Sequence, residues 1–167
     1  IGEGYHRRYG EAHAEVRCLA SVPEALKGCI PSSTMYVSLE PCAHYGKTPP
    51  CADRIVDEKI PRVVVGCRDP FAEVSGRGIA RLTAAGVDVI TGVEEAACRE
   101  LNRRFFTFHE QKRPYIVLKW ARSPDGFVAL PGYKSVRISS PVTDRLVHRW
   151  RSEEAAILVG SRTAEYD

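Results

Sequence analysis

Residues 38–51 read SLEPCAHYGKTPPC, and His13-Ala14-Glu15 lies upstream of them. One imidazole, from His13, and two thiolates, from Cys42 and Cys51, make a three-ligand set for zinc that leaves the fourth tetrahedral position to water, as catalytic sites do. Zinc lowers the pKa of a bound water to about 7, so a carboxylate beside it can take the proton and later protonate a leaving amine. The pattern predicts hydrolytic deamination with Glu15 as the catalytic residue.

The spacing of these residues predicts where they lie in the fold. His13 and Glu15 are two positions apart, so they would point to different faces in the body of a helix, but from its first turn both can reach a pocket beyond the N-terminus. Thr48 before two prolines predicts an N-cap, with a helix over residues 51–59. The positive end of a helix favours a thiolate. We therefore expect two helix N-termini to converge on one zinc, with residues 43–50 as a loop at the pocket rim.

Apolar periodicity predicts alternating helices and strands over the first two thirds of the chain. We expect helices over residues 12–21, 51–59 and 79–85, strands over 34–39, 63–66 and 87–90, and one long helix over 94–110. Residues 1–6 have the pattern of a strand end and its turn. Strands separated by helices predict an α/β fold whose sheet contains parallel strands and carries helices on its faces.

A domain boundary is predicted where the polar segment 110–114 ends the long helix and precedes a new β run over residues 115–119. The predicted domains are residues 1–112 and 113–167. The chain starts at Ile1 without a Met, and Asp167 follows soon after another apolar strand. We expect truncation at both ends, with the N-terminal part of the first domain missing and only the N-terminal fragment of the second present.

Composition excludes several classes of protein. The 167 residues carry 24 basic and 21 acidic side chains, a net charge of +3, with no basic block, so nothing predicts a nucleic-acid partner. No apolar run approaches the roughly 18 residues of a membrane span and no signal peptide opens the chain, which favours a cytoplasmic protein. In a cytoplasmic protein, the six cysteines are expected to be free thiols or metal ligands and not disulfides.

The general zinc-deaminase signature is H-x-E followed by P-C-x-x-C, whereas eight residues separate Cys42 from Cys51 here. With that longer spacing, residues 38–51 closely resemble the deaminase half of the bifunctional riboflavin-biosynthesis deaminase/reductase family. The resemblance extends along the whole chain in one order. It includes GEGYH at 2–6, RDP at 68–70, SGRG at 75–78, YIVLK at 115–119, SPDG at 123–126 and ILVGSRT at 157–163.

The resemblance implies a cytidine-deaminase-like three-layer αβα sandwich, followed by the start of a dihydrofolate-reductase-like α/β domain. It implies zinc-dependent deamination of 2,5-diamino-6-(5-phosphoribosylamino)pyrimidin-4-one, reduction of the ribosyl chain to ribityl with NADPH, and a homo-oligomer, dimer or tetramer. His6 matches a family position that contacts substrate. His44 and Lys47, on the loop between the cysteines, are predicted donors to this anionic substrate.

In the second half the resemblance implies further contacts by position. Ala121, Thr163 and Asp167 match residues near NADPH, and Ser135 and Arg151 match residues near the substrate, Arg151 on its phosphate. Arg137 stands where many members have a tryptophan. We expect this arginine to contact a cofactor phosphate instead of stacking.

Two other readings stay open at this point. A different zinc deaminase, acting on cytosine, a nucleotide or a tRNA adenosine, predicts the short cysteine spacing, and the tRNA enzyme also predicts a basic face. A non-catalytic module stabilised by zinc predicts a fourth protein ligand, which Cys67 or His44 could supply. The free carboxylate of Glu15 argues against that module. Cys18, Cys29, Cys67 and Cys98 are otherwise expected to be packed or incidental thiols, and His109 and His148 surface residues.

Overall fold

The computed structural model describes residues 1–71, 74–130 and 136–166 and divides into two compact units, Ile1–Tyr115 and Ile116–Asp167. Ser135 and Asp167, predicted to contact substrate and cofactor, lie outside the described residues. None of the described helices is both long and apolar enough to cross a bilayer.

The first unit alternates helices and strands as the apolar periodicity predicts. Its elements are α1 (Ala14–Ser21), a 3-10 helix (Glu24–Ser32), β1 (Thr34–Leu39), α2 (Cys51–Asp57), β2 (Arg62–Cys67), α3 (Arg77–Ala84), β3 (Asp88–Thr91), α4 (Glu95–Leu101) and α5 (Arg103–Gln111). The 3-10 helix, which includes Pro31, was not predicted.

The three strands form one parallel sheet in the order β1-β2-β3, with Met35 opposite Val63 and Val63 opposite Val89. Each parallel connection needs a crossover, and α2 and α3 supply them. Because such crossovers are right-handed, two successive steps in one direction place both helices on the same face of the sheet.

The main core lies on that face of the sheet. Val63 and Val65 of β2 are fully buried there with Ile55 of α2 and Leu82 of α3. Gly66 points to the opposite face, where α4 approaches so closely that a Cβ on this glycine would lie 2.2 Å from the Cys98 sulfur. Helices therefore cover both faces of the sheet, which confirms the expected three layers.

Residues 1–6 run along α1 and form no strand. Gly4 allows this close approach, since a Cβ there would lie 2.4 Å from the backbone nitrogen of Cys18, and Gly2 is packed against the same turn. The Glu3 amide donates to the Ser21 hydroxyl at 2.9 Å. The prediction of a strand here is wrong, because residues 2–4 pack against α1 and do not pair with a second strand.

Two other local predictions are wrong. The helix predicted over residues 94–110 is two helices, since Asn102 leaves helical geometry at φ −101°, ψ 19° and its side chain donates to the Cys98 carbonyl at 2.9 Å. Such a side-chain bond competes with the regular helical pattern. Thr48 is not the N-cap of α2, because Pro50 holds that position and no side chain caps the helix.

The second unit contains α6 (Pro141–Ser152) and α7 (Ser161–Tyr166). Ser140 caps α6 by accepting from the Thr143 amide, with Pro141 in the first turn. No strand forms among the described residues of this unit, so the β run predicted over 115–119 and the strand predicted before Asp167 are wrong for this structure. A strand needs a paired neighbour, and these apolar segments are exposed here, Leu118 by 78% and Leu158 by 99%.

Candidate metal and active site

Three side chains that can bind a metal meet at the N-termini of α1 and α2. His13 is the residue preceding α1, Cys51 is the first residue of α2, and Cys42 lies on the loop after β1. Their ligand atoms all lie within 4.8 Å of one another. The structure thus brings the predicted ligands together where two helices converge.

The distances suit zinc. The His13 Nδ1 atom lies 3.6 Å from the Cys42 sulfur and 3.3 Å from the Cys51 sulfur. A tetrahedral ion with bonds of about 2.3 Å to sulfur and about 2.0 Å to nitrogen separates such ligands by about 3.5 Å. The donor set of two sulfurs and one imidazole nitrogen is also one that zinc prefers.

No fourth His, Cys, Asp or Glu side chain joins this group in the part of the chain that the structure describes. Cys67, one alternative ligand, donates its thiol to the Ser38 carbonyl at 3.0 Å. His44, the other, is exposed at the pocket rim. The arrangement therefore has the open position of a catalytic site and differs from the closed four-ligand site of a structural module.

The two thiols interact strongly with each other. The pKa of Cys42 is lowered, chiefly because the Cys51 side chain hydrogen-bonds to it, and the Cys51 backbone amide also donates to this sulfur at 3.3 Å. The hydrogen bond between the two side chains, together with burial, raises the pKa of Cys51. Without metal the pair therefore shares a proton, which zinc has to displace when it binds both sulfurs as thiolates.

Glu15 lies beside the three ligands. It is the second residue of α1, only 8% exposed, and its carboxylate hydrogen-bonds with the Cys51 side chain without joining the metal-binding group. Burial raises its pKa above the ordinary value, with backbone and Cys51 hydrogen bonds acting in the opposite direction. A carboxyl group with a raised pKa next to an open metal position is suited to carry protons at neutral pH.

The predicted substrate residues His6, His44 and Lys47 line one pocket of about 190 Å³, together with His13 and Cys42. The His6 ring meets the His13 ring edge-on at 5.4 Å and its Nδ1 lies 3.3 Å from the Ala12 carbonyl. The Lys47 ammonium lies 4.2 Å from the centre of the Tyr9 ring. These cationic and hydrogen-bonding side chains surround the entrance to the predicted zinc site.

A larger groove, about 720 Å³, lies along α2 and α3 and is lined by Tyr45, Pro50, Asp53 and Arg81 among others. None of the three metal-binding side chains lines it. Two of them, His13 and Cys42, line the smaller pocket.

His109 was predicted to lie on the surface, and this prediction is wrong. The side chain of this α5 residue is partly buried among aromatic rings, 5.3 Å from Phe71, 4.4 Å from Phe105 and 5.2 Å from Phe108. It also interacts electrostatically with Asp69, whose pKa is raised mainly by burial. Phe105 and Phe108 belong to the same helix, whereas the contact with Phe71 joins the helix to a loop, which no local pattern in the sequence predicts.

The predicted residues of the second unit that the structure describes lie on separate segments of the chain. Arg151 is exposed on α6, Thr163 is exposed on α7, and Ala121 is partly buried. Arg137 forms an ion pair with Asp144 at 2.5 Å.

Two family models match the chain. Residues 1–67 match the cytidine and deoxycytidylate deaminase zinc-binding region, and residues 114–167 match the RibD C-terminal domain. The riboflavin biosynthesis protein RibD of Aquifex aeolicus is 46% identical over all 167 residues, and that of Escherichia coli is 42% identical over the same span. The chain belongs to the RibD family.

Solved RibD structures agree with this membership. A structure of Acinetobacter baumannii RibD superimposes with a TM-score of 0.89 at 40% identity, covering 100% of this chain and 46% of that one. A Thermotoga maritima diaminohydroxyphosphoribosylaminopyrimidine deaminase/5-amino-6-(5-phosphoribosylamino)uracil reductase gives the same TM-score at 39% identity, covering 100% and 47%. The chain likewise spans 46% of the A. aeolicus protein and 44% of the E. coli protein, so it is less than half the length of these RibD relatives.

Proposed function

We propose that this chain carries the deaminase of riboflavin biosynthesis, acting on 2,5-diamino-6-(5-phosphoribosylamino)pyrimidin-4-one with water to release ammonia. His13, Cys42 and Cys51 hold zinc, and Glu15 carries the protons. One observation supports this most strongly: the three metal-binding atoms lie within 4.8 Å of one another, with the buried Glu15 carboxylate against Cys51. The deaminase family match and the RibD relatives support the choice of reaction.

When bound, zinc supplies the Lewis acidity that activates water near neutral pH. Glu15 would accept one proton from the attacking water and pass it to the ring nitrogen. It would then accept the second proton, from the hydroxyl of the tetrahedral adduct, and deliver it to the departing amine, which leaves as ammonia. Its raised pKa brings it closer to the working pH, where one group can both accept and donate a proton. Burial of the carboxylate limits proton exchange with bulk solvent during the reaction.

The side chains at the pocket rim suit a phosphorylated substrate. His6, His44 and Lys47 place hydrogen-bond donors around the pocket that contains His13 and Cys42. We propose that Lys47 attracts the 5-phosphate as a point charge and that His6 and His44 orient the pyrimidine. The longer loop between the cysteines brings two of these three residues to the rim.

For the second unit we propose the N-terminal part of an NADPH-dependent reductase, in line with the match to the RibD C-terminal domain. The predicted contacts of Ala121, Arg137 and Thr163 with NADPH, and of Arg151 with substrate, stay predictions, as does the domain boundary between residues 112 and 113. A homo-oligomeric assembly and a cytoplasmic location are further proposals that follow from the family.

The decisive test compares wild type with Glu15→Gln in ammonia release from the proposed substrate, with zinc content measured in both. The variant should bind zinc as wild type does yet deaminate at least about a hundredfold more slowly, because it cannot transfer the proton. Glu110→Gln is a matched control, since its carboxylate forms an ion pair with Arg99 on the surface. Normal deamination by Glu15→Gln would end the proposed role.

A further inference from the structure

Glu40 is a buried carboxylate, 4% exposed, that lies two residues before Cys42 and has no part in the chemistry proposed above. Four backbone amides donate to it. Its Oε1 accepts from Gly78 at 2.9 Å and Ile79 at 3.2 Å, and its Oε2 accepts from Gly76 at 2.9 Å and Asp69 at 3.2 Å. Glu40 thereby joins the zinc-ligand loop to the N-terminus of α3 and to the end of β2.

Two further contacts hold α3 against the same loop. Gly78 packs on it so tightly that a Cβ there would lie 1.8 Å from the Pro41 carbonyl oxygen. Arg81 donates to the Ala43 carbonyl at 3.4 Å and forms an ion pair with Asp53. Because Asp53 lies in α2, two residues after Cys51, α3 contacts both the loop that carries Cys42 and the helix that begins with Cys51.

We propose that Glu40 and Arg81 are positioning residues of the zinc site, which hold Cys42 at the correct distance from Cys51 before the metal binds. The inference rests on the proposed function only in requiring that His13, Cys42 and Cys51 hold zinc. Residues that orient metal ligands in this way typically change metal affinity by about 10–100-fold when they are replaced.

The chemistry of Glu40 makes the proposal specific. A carboxylate accepts at both oxygens, whereas an amide accepts at one oxygen and presents N–H groups at the other position. Glu40→Gln therefore keeps two of the four bonds and turns a donor toward the other two amides. Glu40→Met has similar length and keeps none of them.

The experiment measures the zinc dissociation constant of the full chain by competition with a chromophoric chelator. Zinc should bind Glu40→Gln about 10–100-fold more weakly than wild type, and Glu40→Met more weakly still. Arg81→Met should bind about tenfold more weakly. Since the Arg81 side chain is 48% exposed, this variant keeps the test valid even where replacing the buried Glu40 prevents folding.

Leu82→Ala is the control for a general loss of stability, since this fully buried side chain belongs to α3 but packs in the core. It should lower the unfolding midpoint of metal-free protein while leaving the zinc dissociation constant within about twofold of wild type. The inference is wrong if Leu82→Ala weakens zinc as much as Glu40→Gln does, or if the Glu40 and Arg81 variants bind zinc like wild type.

Cys51→Ser separates failure of this inference from failure of the proposed function. Loss of zinc in Cys51→Ser with normal affinity in the Glu40 variants contradicts the inference alone. Undiminished zinc binding by Cys51→Ser contradicts the metal site itself, and with it the proposed function.

Discussion

Burial of Glu15 against the metal-binding side chains opposes folding in the absence of zinc. In the unfolded chain this carboxyl ionises near its ordinary pKa of 4.5, whereas burial raises the pKa in the folded protein. As pH rises above the ordinary value, the unfolded state loses its proton first, so the free energy of unfolding falls until the pH passes the folded pKa. The residue proposed to carry the protons thus reduces the stability of the metal-free fold.

Glu15→Gln should therefore stabilise the metal-free protein at neutral pH. The amide has no charge to desolvate, so the variant should have a higher free energy of unfolding than wild type at about pH 8, and the difference should shrink toward about pH 4. Urea denaturation of chelator-treated samples at both pH values measures this. A variant that is less stable than wild type at the higher pH, or a difference that does not change with pH, would contradict the account.

At the scale of elements, the close approach of α4 to the sheet decides the three-layer packing. Gly66→Ala places a Cβ 2.2 Å from the Cys98 sulfur and 2.8 Å from the Cys98 Cβ. Overpacking of this kind destabilises a protein by about 1–3 kcal/mol, so the unfolding midpoint should fall. Urea denaturation of the variant measures the change.

Two further variants test that explanation of the Gly66→Ala effect. Adding Cys98→Ala removes the nearer atom and should restore part of the lost stability, a coupling that a double-mutant cycle detects. Gly28→Ala is the control, because no atom lies within 4 Å of a Cβ built there. Equal losses in Gly28→Ala and Gly66→Ala would contradict the contact with α4 as the cause, because the lower entropy of the unfolded chain should by itself stabilise both variants.

At the scale of the whole molecule, the two units differ in what stabilises them. The first has a sheet, a core and a metal-binding cluster, whereas the described part of the second has two helices and exposed apolar side chains. Both tryptophans, Trp120 and Trp150, lie in the second unit. Tryptophan fluorescence therefore reports on that unit alone, while far-UV circular dichroism also reports on the first.

Removal of zinc should affect the circular-dichroism signal and the tryptophan fluorescence differently. Zinc at about a hundred times its dissociation constant stabilises the folded state by about 2.7 kcal/mol, which corresponds to about 10 °C or more in the unfolding midpoint of a small domain. Chelation should lower the midpoint measured by circular dichroism by this amount and leave the tryptophan signal unchanged. Equal shifts in both signals would mean that the units unfold together.

The sequence by itself predicted the metal-binding cluster and most of the local structure. His13, Glu15, Cys42 and Cys51 were recognisable because zinc deamination needs those side chains, and β1 was predicted at its observed bounds because its apolar pattern is local. Only the tertiary structure decided that Glu40 accepts four amides from a distant segment and that the His109 ring packs against Phe71. Contacts of that kind depend on how separate elements approach each other, which no periodicity within one element encodes. The exposed runs of the second unit show the same limit, because an apolar pattern predicts a strand while a strand exists only where another backbone pairs with it.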